Sequence, residues 1–222
     1  MNSTRNATAV ALVLLWCGVA AAQDAVKADP KHYTVVLDNA SVRVLRIHYA
    51  PGEKSVMHQH PDAIVIPLAS SKVRFTLPDG KSEDSELAAD SAMYTPAGTH
   101  NPTNIGSGNV DAILVEFKGP AGRAALPASR PGMTLKVLAE GPRATAYRST
   151  AAPTFAEPAG SKHEFSQVVI AINPGQMSLS IDGKPAKTTW ARGDVEFIGR
   201  GTPHEAKNIA GKPVDMVIVG IK

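Results

Sequence analysis

The sequence predicts an all-β protein: two small barrels in tandem, preceded by an export signal. Three observations carry this reading. Short apolar or alternating runs are separated by turn residues throughout, and 18 Gly and 17 Pro in 222 residues leave little room for long helices. The second half repeats the first at a nearly constant offset. The first 22 residues have the layout of a cleavable leader.

The leader comes first. Arg5 supplies the positive end, Ala9 to Trp16 the short apolar core, and Ala20-Ala21-Ala22 the small-residue cleavage site, with Gln23 as the expected mature start. The apolar run is too short to span a bilayer comfortably, so cleavage is expected rather than a retained membrane anchor. Cys17 raises lipoprotein processing, but the bulky Trp16 before it argues against that. Removing residues 1–22 lowers the formal charge from +3 to +2 and removes the only cysteine. A cysteine-free exported chain, held by its core alone, fits a periplasmic or secreted protein.

After a loose polar lead-in over 24–31, Tyr33 to Leu37 reads as a strand, Asp38-Asn39 as a turn and Ser41 to Tyr49 as an alternating strand. Pro51-Gly52 turns the chain into Met57-His58-Gln59-His60. Ala63 to Leu68 is a near-continuous apolar run, expected for a buried strand. Val73, Phe75 and Leu77 alternate with polar residues before the Pro78-Asp79-Gly80 turn. Met93 to Pro96 and Ala112 to Phe117 are further strands. Residues 120–132, rich in Ala, Pro, Gly and Arg without a period, read as a linker between barrels over 31–119 and 133–222. Met133 to Ala139 and Arg143 to Arg148 restart the strand pattern.

The repeat is detailed. An offset of 103 places His60 on His163, Asp79-Gly80-Lys81 on Asp182-Gly183-Lys184 and Gly98-Thr99 on Gly201-Thr202. One inserted residue, Pro203, makes the offset 104, which places His100 on His204, Asn104 on Asn208 and Asp111 on Asp215. Each half is near the size at which a single core suffices.

The histidines carry the chemistry. Residues two apart on a strand face the same side, so His58 and His60 are expected to point together. His100 follows a Pro96-Ala97-Gly98 turn and could join them. Three neutral imidazoles leave coordination positions open on a bound ion, as a catalytic metal requires. All-imidazole ligation does not choose among Fe, Zn, Mn, Ni or Cu. Histidines paired on a strand can instead bond each other or buried water. Asp62 is read as a solvated turn residue rather than a partner orienting an imidazole, and His32 and His48 as surface or packing residues. Glu116 is expected to be inward, Arg74 to face water and Trp190 to pack at an edge of the second barrel. No phosphate loop, cysteine nucleophile, serine elbow or aromatic-interleaved basic patch is present, and the small charge gives no case for nucleic acid.

These residues resemble the two sequence motifs of the cupin superfamily, small jelly-roll barrels. Gly52, five residues, then His58-Gln59-His60 match the first motif; Pro96-Ala97-Gly98-Thr99-His100 with Asn104 match the second, one residue short. In the second half Gly193, five residues, Gly199-Arg200-Gly201, Thr202-Pro203-His204 and Asn208 match the second motif, with Gly199 in place of Pro. The chain is thus similar to a bicupin. The resemblance implies metal ligands at the two histidines of the first motif, a following Glu, and the histidine of the second. Here the Glu falls on Ile64 or Val65, neither of which binds metal. The second half has Ser161 at the first histidine and Gln167 at the Glu, keeping His163 and His204. The implied metal centre is therefore His58, His60 and His100, with His163, Gln167 and His204 as a weaker second set. Without the Glu a bound metal keeps its full charge and favours an anionic ligand. Some cupin-type dioxygenases resemble this three-histidine arrangement.

Three readings follow: a metal-dependent enzyme, dioxygenase- or isomerase-like, on a small oxygenated or carboxylate compound; a non-catalytic periplasmic small-ligand or metal binder; or a structural protein with vestigial sites. A monomer or homodimer is expected.

Overall fold

The computed structural model describes residues 23–222 except 121, 128 and 187. The expected signal peptide and Cys17 lie outside the described residues. The first barrel contains β1 (Gln23–Asp24), α1 (Ala25–Ala28), β2 (Tyr33–Asp38), β3 (Val42–Tyr49), β4 (His58–His60), β5 (Ala63–Pro67), β6 (Ser71–Thr76), β7 (Ser82–Leu87), β8 (Met93–Thr95), β9 (Gly98–Asn104) and β10 (Val110–Phe117). Its two sheets run β1-β4-β9-β6-β7 and β2-β3-β10-β5-β8. The second contains β11 (Met133–Glu140), β12 (Ala144–Ala151), β13 (Ala156–Ser161), β14 (Ser166–Ala171), β15 (Gly175–Ile181), β16 (Lys184–Pro185), β17 (Thr189–Trp190), β18 (Val195–Ile198), β19 (His204–Asn208) and β20 (Val214–Ile221). Its sheets run β11-β12-β20-β14-β18 and β13-β19-β15-β16, with β17 beside β15. Among the described residues no helix is long and apolar enough to cross a membrane.

The near-continuous apolar runs have a specific cause: their strands are buried on both faces. One face lines the strand's own barrel. Leu45, Ala63, Val110 and Leu114 pack with Tyr33, Tyr49 and Val73 in the first. Val169, Ala171, Met216 and Ile218 pack with Phe155, Met177, Leu179 and Trp190 in the second. The other face meets the opposite barrel: Val42, Val44, Ile64, Ile66, Ile113 and Val115 form one cluster with Ala144, Ala146, Val168, Ile170, Val217 and Val219. The barrels therefore stand back to back on a shared apolar layer.

Arginines fasten its rim. Arg192 donates to the Leu68 carbonyl (3.0 and 2.5 Å), the Ile172 carbonyl (2.5 Å) and the Asp90 carboxylate. Arg143 donates to the carbonyls of Phe117, Lys118 and Gly119. Gly193, the motif glycine, has φ +84°, and a Cβ there would lie 2.0 Å from Nη1 of Arg46 in the other barrel. The residue 103 earlier is Asp90, which holds φ +61° and takes the Arg192 charge. The motif asparagines are structural clamps. Asn104 donates to the carbonyls of Tyr49 and Gly108 and accepts from Gly106 N. Asn208 donates to Ala151, Ala152 and Lys212 and accepts from Ala210 N.

One expectation is corrected, and one strand comes from a stretch without a strand pattern. The lead-in over 24–31 is ordered: Gln23 and Asp24 add a parallel strand to β4, and Ala25 is fully buried in the first core. Its polar letters hide anchors: Asp24 pairs with Arg43, and Asp29 accepts from Ser55 Oγ at 2.6 Å. Ser82 to Leu87, with Glu83, Asp84 and Glu86, forms an edge strand without an apolar alternation, since only its last residue is buried and charge is tolerated at an edge.

Candidate functional site: two histidine clusters

In β4 the alternation holds: His58 and His60 are buried and Gln59 between them is exposed. The register sets His58 directly opposite His100 on β9. The ring centroids of His58 and His100 are 5.1 Å apart, and those of His60 and His100 4.9 Å. His58 and His60 are thus each brought against His100, although the three do not place one ring nitrogen apiece within 4.8 Å of one another. They border a small cavity of about 70 Å³, walled by Ala25, Ile47, Val65, Phe75, Leu87 and Leu114.

The backbone selects the tautomers. Nδ1 of His58 donates to the Val56 carbonyl at 2.9 Å, and Nδ1 of His60 to the Pro61 carbonyl at 2.7 Å. That leaves each Nε2 as the lone-pair nitrogen. Nε2 of His58 accepts from the Tyr33 hydroxyl at 3.1 Å, which in turn accepts from Tyr49 at 2.7 Å. Burial lowers the pKa of His58. Burial, reinforced by His60 and His58, lowers His100 to about 3. Burial, with Tyr49 alongside, raises Tyr33 well above the ordinary range. At neutral pH His58 and His100 are therefore neutral, and the Tyr33 phenol keeps its proton.

The second cluster differs in kind. His204 lies opposite Ser161, as His100 lies opposite His58, so Ser161 does occupy the first-histidine position. Among the described residues the group of three His, Cys, Asp or Glu ligand atoms within 4.8 Å of one another is Glu157, His163 and His204. Nε2 of His163 and Nε2 of His204 are 3.1 Å apart, and they stand 3.5 and 3.4 Å from the Glu157 carboxylate oxygens. Arg130 reaches in from the segment read as a linker. Its Nη2 contacts Glu157 and, at 2.9 Å, Nε2 of His163; its Nη1 donates to Gln167 Oε1 at 3.3 Å. Burial pushes Glu157 up, but the His204 hydrogen bond and the Arg130 charge outweigh it and hold the carboxyl at about 2. Burial and Arg130 lower His163 to about 4. The Glu157 hydrogen bond raises His204 against its burial.

Glu157 and Arg130 were missed in the sequence. Both come from runs outside the two motifs, and their one readable signal is charge in an otherwise Ala-, Pro- and Gly-rich stretch. The Glu position also moves. Ile64 faces the shared layer. Gln167 stands opposite Gly220 on β20, and the corresponding first-barrel pair is Ala63 opposite Glu116. Ala63 thus takes the place, with Val65 the next inward residue. Glu116 is inward, as expected, and carries the acid on the neighbouring strand. It is bound to Arg43 at 2.5 Å through Oε2, with Oε1 buried and unpartnered.

Asp62 is no free turn residue, since it accepts from Ala97 N at 2.7 Å and the Tyr94 hydroxyl at 3.1 Å, and so positions the turn before His100. His32 is buried, paired with Asp29 and stacked on Tyr49, while His48 is exposed. Arg74 faces solvent in a bidentate pair with Asp84. Trp190 is buried, on the short strand beside β15.

No family model matches the chain. The beta-alanine degradation protein BauB of Pseudomonas aeruginosa is 33% identical over 87 residues, which is 38% of this chain and 90% of that protein. The crystal structure of AerE from Microcystis aeruginosa superimposes with a TM-score of 0.65 at 12% identity, over 86% of this chain and 97% of AerE. A cupin 2 conserved barrel domain protein from Leptotrichia buccalis gives a TM-score of 0.57 at 12% identity, over 86% of this chain and 88% of that one. The BauB match has about the length of one barrel, while the two solved structures match both. With His58 opposite His100 and Ser161 opposite His204 on equivalent strands of two back-to-back barrels, the chain belongs to the same family as BauB and has the cupin fold, twice over in one chain.

Proposed function

We propose that the first barrel holds a divalent transition metal on His58, His60 and His100, and that the protein is a metal-dependent enzyme acting on a small oxygenated or carboxylate compound. The observation that carries this reading is the tautomer pattern. Both first-motif histidines spend Nδ1 on a main-chain carbonyl, so that Nε2 is the nitrogen each turns to a ligand, in His58 already accepting from the Tyr33 hydroxyl. A bound ion would supply Lewis acidity or, if iron, oxygen chemistry. The chain's own residues do the rest. The apolar walls exclude water and strengthen electrostatic contacts inside. Glu116 is tied to Arg43 and no carboxylate is among the cavity's lining residues, which favours an anionic substrate. Tyr33 holds a proton at its hydroxyl next to Nε2 of His58 and can donate a hydrogen bond to a substrate oxygen.

A second reading, a non-catalytic small-ligand or metal binder, is favoured by one contact: the Tyr33 bond satisfies His58 without any metal. We further propose export to the periplasm or medium with cleavage before Gln23, no retained anchor, and a monomer or homodimer. N-terminal sequencing of protein recovered from the periplasmic fraction tests the export.

Metal content, measured on protein purified without chelator or histidine tag, tests the centre. About one transition-metal ion per chain is expected, lost in His58→Ala and in His100→Ala while circular dichroism stays native. An ion retained in both variants, or none even after reconstitution, overturns the first-barrel centre. With metal bound but no turnover across small carboxylates and oxygenated compounds, the binder reading takes its place.

A further inference from the structure

We propose that Glu157, His163 and His204 form a latent divalent-metal site in the second barrel, and that Arg130 is a tethered cation seated in it. The inference does not rest on the first-barrel reading. Three observations converge. The cluster stands where the fold places such a centre, since His204 opposes Ser161 as His100 opposes His58. Its three ligand atoms lie within 4.8 Å of one another. And the groups a metal would engage are held by one guanidinium: Glu157 and His163 through Nη2, Gln167 through Nη1.

Guanidinium suits that seat. It is permanently charged, has five donors and no acceptor, and so satisfies lone pairs on a carboxylate, an amide oxygen and a neutral imidazole at once. A divalent ion entering the cluster would meet its charge at contact distance and compete with it for the same lone pairs. Arg130 is itself largely buried and anchored next to Met133, so its withdrawal would strand a charge. The arginine therefore does mechanically what a structural metal does, tying the segment before β11 to β13 and β14. It also keeps a metal ion out of the second barrel.

The test is Co2+ titration, followed by visible absorption, of His58→Ala protein with and without a second change, Arg130→Met. The increment between the two is read, so the outcome is separable from the fate of the first site. The single variant should show no second-barrel binding, the double variant one additional Co2+ per chain, and His204→Ala added to it should abolish that ion. No increment, or a His204-dependent ion already present with Arg130 intact, overturns the proposal. If Arg130→Met does not fold alone, recovery of its circular dichroism by Zn2+ but not Mg2+ supports the latent site, and absence of recovery overturns it.

Discussion

The two barrels share strand order, back-to-back packing and the seat of their histidines, yet they neutralise that seat by opposite means. The first uses neutral groups: Nε2 of His58 rests on a phenol, and the rings border a small cavity of about 70 Å³. The second uses charge: a carboxylate, two imidazoles and a guanidinium drawn in from 27 residues away. One scaffold thus offers a seat satisfied by neutral groups and one satisfied by charges. The difference lies in what stands beside the imidazoles, not in the strands beneath them.

Acid should separate these designs most visibly in metal-free protein. His100 has a folded pKa of about 3 against an ordinary 6.5, so the unfolded chain binds the proton first. Its contribution is complete above about pH 6.5 and drains away as pH falls toward about 3. Glu157, at about 2 against 4.5, contributes fully above about pH 4.5 and loses that contribution only below it. Urea midpoints should fall from pH 6.5 downward, and His100→Asn should flatten part of the slope above pH 4.5, where Glu157 is silent and His163, held at about 4, keeps its own share. An unchanged slope would erase the first barrel's share.

Breaking the ionic seat comes next. Glu157→Gln leaves Arg130 buried without its anion and should cost about 3 kcal/mol in urea unfolding. Adding Arg130→Met should restore most of it. Tyr33→Phe, the matching insult to the first barrel, loses a neutral bond and should cost about 1–2 kcal/mol. Were the two costs equal, the contrast of charge against neutrality would fail.

The smallest effects compare equivalent backbone positions. Gly193→Ala meets both a left-handed φ and Arg46, and should cost about 1–2 kcal/mol by thermal unfolding. Asp90→Asn, at the corresponding place, keeps a residue that tolerates that φ and loses a half-exposed pair, so it should cost under about 1 kcal/mol.

Much of this was legible in the sequence because it is local. The spacing of His58 and His60, the offset of 103 or 104 and the doubly apolar runs each follow from chain period alone. What escaped depends on register or on distant chain. Choosing Ile64 or Val65 over Ala63 is a slip of one or two residues, and a one-residue slip on a strand exchanges barrel interior for the shared layer. Arg130, Glu157 and Asp24 reach their partners from segments without periodicity, where a charged letter carries no sign of what it meets. Asp62 looked like a turn residue because its acceptors' partners, Ala97 and Tyr94, lie more than thirty residues on.

The shared apolar layer has a consequence for descent. Strands β3, β5 and β10, with β12, β14 and β20, answer to two neighbours at once, so a change that suits one side is vetoed by the other. The ligand-bearing strands β4 and β9, and β13 and β19, lie in the outer sheets and answer to one. A duplicated barrel of this kind can therefore let its chemistry drift, a serine here, an intruding arginine there, while its frame stays put.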